Sequence, residues 1–319
     1  MKHIKIDTFV LAIIATVTFA YFFPQLQRQL PLDLIGSIGV SLIFFFYGLK
    51  LSPEKIKSGL KNWKLHALVQ LSTFLLFPLV VLLFYPVAQT EEAQQLWLSF
   101  LFLGALPSTV SSSVVMVSMA KGNIPAAIFN ASISGLIGIA VTPLWMGLFL
   151  QNETADFSLG SIYLKLITEI VIPIYLGFVL QRFWGTYTQR YSKQLVLFDR
   201  AVILLIIYKS FAESFEEGIF SAVSITDLIF ILIAILVLFF GIYNLIGWIS
   251  GRMGFSYEDR ITAQFCGTKK SVVHGAVFAK ILFPAAFPIG IVLLPLMLFH
   301  AIQIFIISII ASRLGREIQ

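Results

Sequence analysis

Ten apolar runs of membrane-spanning length constrain this chain more than any other feature. They fall near residues 8–23, 33–50, 64–85, 96–120, 124–149, 160–183, 200–217, 227–250, 258–283 and 287–312, each bounded by Pro, Gly or charge. At about 20 residues for a helix that crosses the hydrocarbon core, these runs and their short connections use up the 319 residues. No separate soluble catalytic domain fits. Composition agrees: 58% apolar and 12% charged residues stand against roughly 45–50% and about 25% in soluble domains. A content of 31 Phe with a single cysteine, Cys266, likewise excludes a disordered chain and a disulfide scaffold. The first run, Thr8 to Phe23, has no small-residue cleavage site before Pro24 and reads as a span, not a signal peptide. The expected fold is an all-α polytopic membrane protein of ten transmembrane helices.

Positive charge is sorted by loop. With the N-terminus inside, alternate loops hold Lys2, Lys5, Lys50, Lys55, Lys57, Lys61, Lys64, Lys121, Arg182, Arg190, Lys193, Arg200, Arg252, Arg260, Arg313 and Arg316, and the opposite side holds only Arg28. Because cytoplasmic loops carry the excess of Lys and Arg, both termini are expected in the cytoplasm of a cell whose inner membrane holds the protein. The acidic loop residues Glu91, Glu92, Glu153, Asp156, Glu216 and Glu217 then fall outside. The net charge of +6 follows from this topology, so the expected partner is the lipid bilayer and not nucleic acid.

The fourth and ninth runs are interrupted. In the fourth, Pro107 is followed by Ser108, Thr109, Ser111, Ser112 and Ser113, and the ninth carries Cys266-Gly267-Thr268-Lys269-Lys270-Ser271. Neither suits contact with lipid tails, since a helix broken in hydrocarbon frees N–H and C=O groups that must find partners or line a wet cavity. The two breaks also correspond: Ser113-Val114-Val115 with Pro125-Ala126-Ala127 parallels Ser271-Val272-Val273 with Pro284-Ala285-Ala286, at an offset of 158 to 159 residues. Tyr47 and Tyr208 match at nearly the same spacing. Each half, 1–150 and 151–319, would hold five spans, an odd number, so the second half would enter the membrane inverted. A pair of broken helices in an inverted repeat marks a midplane site where half-helix N-termini attract anions and free carbonyls attract cations. The alternative is that the hydroxyls only re-satisfy kinked helices or permit close helix contact.

The four histidines, His3, His66, His274 and His300, lie apart and form no metal set. No His-Glu-x-x-His, Gly-x-Ser-x-Gly, P-loop or Cys/His zinc spacing occurs. The reading is therefore not an enzyme, with neither metal nor cofactor expected. Trp63, Trp97, Trp145, Trp184 and Trp248 suit interfacial anchoring, and Gly135 and Gly138 suit close helix contact.

The residues at the breaks resemble the bile acid:sodium symporter superfamily. Ala120-Lys121-Gly122-Asn123 looks like the family's small-basic-Gly-polar turn after helix four, and Gly267-Thr268-Lys269-Lys270-Ser271 falls where members carry Gly-Met-Gln-Asn-Ser. The Cys-Gly-Thr-Lys-Lys-Ser form resembles the SBF-like branch that holds bacterial symporters and the seventh member of human solute carrier family ten, along essentially the whole chain. The resemblance implies a 5+5 inverted-topology repeat with discontinuous crossing helices four and nine. It also implies a panel unit of spans 1, 2, 6 and 7 and a core unit of spans 3–5 and 8–10. The function it implies is secondary-active transport of a small organic anion by alternating access, coupled to H⁺ or Na⁺. The implied solute and ion contacts are Ser108, Thr109, Ser111, Ser112, Ser113, Asn130, Gln264, Thr268, Lys269, Lys270, Ser271 and His274.

One departure bears on the coupling ion. Sodium-coupled members place a carboxylate two residues before the family Gly and an amide two residues after it, and here those positions are Phe265 and Lys269. Further oxygen-bearing positions of the family fall at Val114, Ala127 and Ala131. Na⁺ is a hard cation that needs oxygen ligands, so sodium coupling through the usual sites is not expected. Lys269 and Lys270 would each cost about 2.5–3.5 kcal/mol at the bilayer centre and call for partners. Glu169 and Glu213 are the carboxylates within spans; Lys165–Glu169 and Lys209–Glu213 suit local i,i+4 pairs, or one glutamate closes on Lys269 or Lys270 across the crossing. Two other classes remain as alternatives: a non-transporting regulatory membrane protein, in calcium homeostasis as the branch suggests, and an intramembrane enzyme using a Ser/Lys pair.

Overall fold

Pro, Gly and capping residues cut the apolar runs into helices, whose breaks position everything that follows. The computed structural model describes residues 8–51, 62–109, 111–150, 159–216, 218, 224–283 and 287–317, and of Val10, Ser111, Leu159, Gln189 and Glu317 only the backbone. Lys2, His3, Lys5, Lys55, Lys57, Lys61, Glu153, Asp156, Glu217 and the Pro284-Ala285-Ala286 run lie outside the described residues.

Helix α1 (Thr8–Phe22) leads through a short 3₁₀ turn (Pro24–Arg28) into α2 (Leu32–Lys50). Helix α3 runs from Trp63–Leu71 through a π turn (Ser72–Leu76) into Phe77–Leu82. The fourth run is divided into α4 (Glu91–Ala105) and α5 (Ser111–Met119), followed by α6 (Ile124–Leu150). Helix α7 joins Leu159–Leu166, a second π turn (Ile167–Val171) and Ile172–Arg190, and α8 (Ser192–Glu216) and α9 (Ile225–Arg252) follow. The ninth run is divided into α10 (Tyr257–Thr268) and α11 (Val272–Leu282), and α12 (Ile289–Glu317) completes the described chain.

Local sequence explains the ends. The Thr90 hydroxyl caps α4 by accepting from the Ala93 N–H at 3.2 Å, with Glu91 and Glu92 in the first turn where the helix dipole favours them. Ser224 and Asp227 form a reciprocal capping box at the start of α9. Helix α4 stops because Pro107 pushes the preceding Leu106 into extended backbone, with ψ at 150°.

Among the described residues, six stretches can cross a membrane by length and composition: Leu32–Lys50, Trp63–Val87, Ile124–Leu150, Gly160–Thr188, Ile225–Arg252 and Ile289–Arg316. The sequence leads one to expect ten, and the other four differ for visible reasons. Helix α1, as described, has only 15 residues, Thr8–Phe22. Helix α8 carries Asp199, Arg200, Lys209 and Glu213, and the fourth and ninth runs are each two short helices. The surface is apolar where lipid would lie: along α9, Ile225, Ile229, Phe230, Ile233 and Val237 are all exposed. With lipid outside as apolar as the interior, packing and small residues, not exclusion of water, hold such helices together. Helices α2 and α7 show it: a Cβ on Gly48 would overlap the Ile174 carbonyl oxygen, and one on Gly177 the Phe45 carbonyl oxygen.

Candidate functional site

The two breaks meet inside the protein and are joined by one side chain–backbone and one backbone–backbone hydrogen bond. Ser108 Oγ donates to the Cys266 carbonyl at 2.7 Å, and the Ser271 N–H donates to the Pro107 carbonyl at 2.9 Å. The Ser108 N–H, no longer used by a helix, donates to Ser134 Oγ of α6 at 3.0 Å. Extended backbone is tolerated at this depth because its polar groups find partners in the protein.

Lys270 occupies the centre of the junction. It is fully buried, and its Nζ donates to the carbonyls of Thr73 at 2.7 Å, Gly104 at 2.6 Å and Leu106 at 2.9 Å. The Phe77 ring lies below, with Nζ 4.2 Å from its centroid. The sequence explains why these carbonyls are open. In α3 the Phe77 N–H bonds to the Ser72 carbonyl, and the next residue, Pro78, has no N–H, so the Thr73 carbonyl has no partner along the helix. At the end of α4, Pro107 again brings no N–H, and Ser108 has turned to Ser134, which leaves the Gly104 carbonyl open. Three acceptors within hydrogen-bond distance match the three N–H bonds of an ammonium, one more than a neutral amine carries.

A residue that the sequence does not single out completes the junction. Gln303, fully buried on α12, accepts from the Lys270 N–H through Oε1 at 2.8 Å and donates through Nε2 to the Lys270 carbonyl at 2.8 Å. Its amide therefore replaces the helical partners that Lys270 loses at the break. Only its type and span, a Gln in an otherwise apolar run, could have pointed to it.

Beside the junction lies a cavity of about 390 Å³. At its deep end are Thr109, Ser112, Ser271 and His274; Phe9, Phe44, Phe129 and Ile304 form apolar walls; Lys50, Asp199 and Arg200 stand toward the end of α2 and the start of α8. Thr109 Oγ1 bonds Ser112 Oγ at 2.9 Å and Ser113 Oγ at 3.2 Å. Ser271 caps α11, accepting from the His274 N–H at 3.3 Å, and bonds the ring Nδ1 at 2.9 Å. The other ring nitrogen, Nε2, is buried and has no hydrogen-bond partner among the described residues. Tyr47 on α2 donates its hydroxyl to the Ser132 carbonyl of α6 next to it. At the other end Lys50 Nζ lies 3.6 Å from Asp199.

The remaining candidates are dispersed. Asn130 is buried behind the cavity, donating to the Ala126 carbonyl at 3.0 Å and accepting from Gln70 at 3.1 Å. Gln264 donates to the Tyr243 carbonyl at 3.1 Å, and Thr268 Oγ1 donates back along its own helix to Gln264 at 2.6 Å. Lys269 is fully buried and does not line the cavity; the Ser111 side chain lies outside the described residues. The charge partners differ from expectation. Lys209 pairs with Asp33 of α2 at 2.7 Å, not with Glu213, because α2 brings a carboxylate closer than the helix's own next turn. Lys165 and Glu169 form no ion pair among the described residues, and the hydrogen bonds of Lys270 Nζ go to carbonyls instead of to either glutamate.

The model of the SBF-like CPA transporter family matches residues 7–316. The chain belongs to that family. Among relatives of this SBF-like chain, an uncharacterized protein of Pseudomonas aeruginosa is 38% identical over 98% of the chain and 93% of its own length. The protein YfeH of Escherichia coli is 36% identical over 99% and 96%. Sodium/bile acid cotransporter 7 of zebrafish, Danio rerio, is 31% identical over 97% and 94%. An SBF-like protein with several membrane-spanning helices is an integral membrane transporter, and the buried, doubly broken junction belongs to that setting.

Proposed function

We propose that this transporter carries an organic anion through the cavity beside the helix breaks by alternating access, without sodium at the family's usual sites. The observation that carries the reading is His274: its side chain lines a cavity whose inner end is also the N-terminus of α11, and its buried Nε2 has no hydrogen-bond partner among the described residues. Ser271 Oγ, with one hydrogen and two lone pairs, can serve either tautomer of the His274 ring, and the reading takes the one whose hydrogen sits on Nε2 as a donor. A donor and a half-helix N-terminus together favour an oxyanion. The apolar walls call for an organic body behind it.

The fold reading rests on similar grounds. We read ten spans in two inverted halves, 1–150 and 151–319, with α1, α2, α7 and α8 as one unit and the remaining helices as the other. Ser108 and Cys266, bonded at the crossing, stand 158 residues apart, the offset that relates the two halves in sequence. The cavity reaches Lys50 and Ser192, on the side that the basic loops assign to the cytoplasm. On the opposite side Lys280 of α11 donates to the Asp33 carbonyl and to Ser37 Oγ of α2, each at 2.9 Å, and closes the path.

Thermal stability of the purified protein in sodium-free buffer tests the reading, because a ligand of the native state raises its stability by mass action. Organic carboxylates, sulfates and phosphate esters should stabilise the native protein, while uncharged isosteres should not. His274→Ala should abolish that gain without lowering the basal melting temperature by as much. Stabilisation or flux that requires Na⁺ with saturable dependence would refute the sodium-free reading. Labelling of cysteines placed at Glu91 and Lys57 from the same side, with Cys266 replaced, would refute the topology.

A further inference from the structure

We propose that the carbonyls of Thr73, Gly104 and Leu106 form a monovalent-cation site that the chain fills with its own ammonium, that of Lys270. The site is built on the main chain, so it exists whatever side chain stands at 270. Its three oxygens belong to two separate segments, the π turn of α3 and the broken end of α4, and the cation reaches them from the break between α10 and α11. Two of the oxygens are open because Pro78 and Pro107 bring no N–H and the Ser108 N–H is turned to Ser134. The Phe77 ring, 4.2 Å away, presents its negative face to the same point. The partners at the site are neutral carbonyl dipoles, so what they stabilise is a small cation without a salt-bridge partner.

Distances of 2.6 to 2.9 Å and an approach through three N–H bonds match an ammonium group. The tether holds the Lys270 amine at the site. The three broken segments stay gathered without any ion from solution, in both the loaded and the empty transporter. The inference stands apart from the solute proposed above, and its test reads folding, not transport.

Two variants test it. Lys270→Ala removes the ammonium and leaves a pocket bounded by the three oxygens and the ring. Purified in tetramethylammonium chloride, which has no N–H, K270A should melt well below the native protein. Replacing that salt with ammonium or methylammonium chloride at equal ionic strength should raise its melting temperature by several degrees, saturably, and leave the native protein unmoved. Lys270→Met keeps the stem and drops the charge, and should be destabilised without recovery by either cation. The proposal is overturned if K270A gains no more from ammonium or methylammonium than from tetramethylammonium, including the case in which no folded K270A is recovered in any of them. It is equally overturned if K270M melts with the native protein, because the carbonyls would then need no cation.

Discussion

Replacing Gln303 by Leu should loosen the junction at a place where no solvent can compensate. The side chain holds both main-chain groups of Lys270, each at 2.8 Å, and both residues are fully buried. Leu fills a similar volume and offers neither donor nor acceptor, so one N–H and one C=O are left without partners. A buried polar group so orphaned costs about 1–3 kcal/mol, and two cost about 2–6 kcal/mol, against a margin of about 5–15 kcal/mol for ordinary folded domains. Cys266, the single thiol, is fully buried at the same junction and provides the assay. A fluorogenic maleimide added to detergent-solubilised protein during a thermal ramp reacts only as the junction opens. Q303L should bring that reaction to a temperature several degrees lower than in the native protein. Reaction within about 1 °C of native would mean that the lost bonds cost less than about 1 kcal/mol, and the account of Gln303 as the substitute for helical pairing would be refuted.

Gly177→Ala should sharply reduce the yield of folded, monodisperse protein on size exclusion, since its methyl group would overlap backbone that cannot rotate away; a normal yield would refute the close approach of α2 and α7. Lys280→Ala removes two 2.9 Å bonds between α11 and α2 and should raise the labelling rate of a cysteine placed at Ser210, buried beside that contact, when Cys266 is replaced, whereas an unchanged rate would mean that this contact does not close that side. Adding Pro78→Ala to Lys270→Met should recover about 1–3 kcal/mol of the loss, because an alanine in place of Pro78 brings an N–H to a helix whose Thr73 carbonyl would otherwise stand open; additive losses in a double-mutant cycle would refute the role of Pro78.

The breaks were legible because polar residues at membrane depth stand out: Pro107 with its serines, and the Thr-Lys-Lys-Ser run, are written in letters. The partners of Lys270 were not. A sequence offers only side chains as candidates, which turned attention to Glu169 and Glu213, whereas the groups that bind the ammonium are main-chain carbonyls. Only Pro78 and Pro107 hint at them, by what they lack. Lys209 and Glu213 suit an i,i+4 pair, yet Asp33 lies closer because tertiary packing decides among carboxylates that sequence spacing ranks equally. Gln303 had no periodic or repeated neighbour to mark it. Length caused the difference in spans: a run interrupted by Pro or by a Lys pair has the total length of a span but not of a single helix.

The contact of Gly48 and Gly177 with each other's helix backbones has a mechanical consequence. Where side chains separate two helices, rotamer changes let one slide past the other by fractions of a turn. Between α2 and α7 there is no such cushion at these positions: bare glycine faces carbonyl oxygen, and a small displacement would drive backbone into backbone. Packed interfaces of this kind have discrete seats, not a continuous track. The pair is therefore a strut, and whatever compliance the protein needs as it works must be found at joints that retain side chains between them.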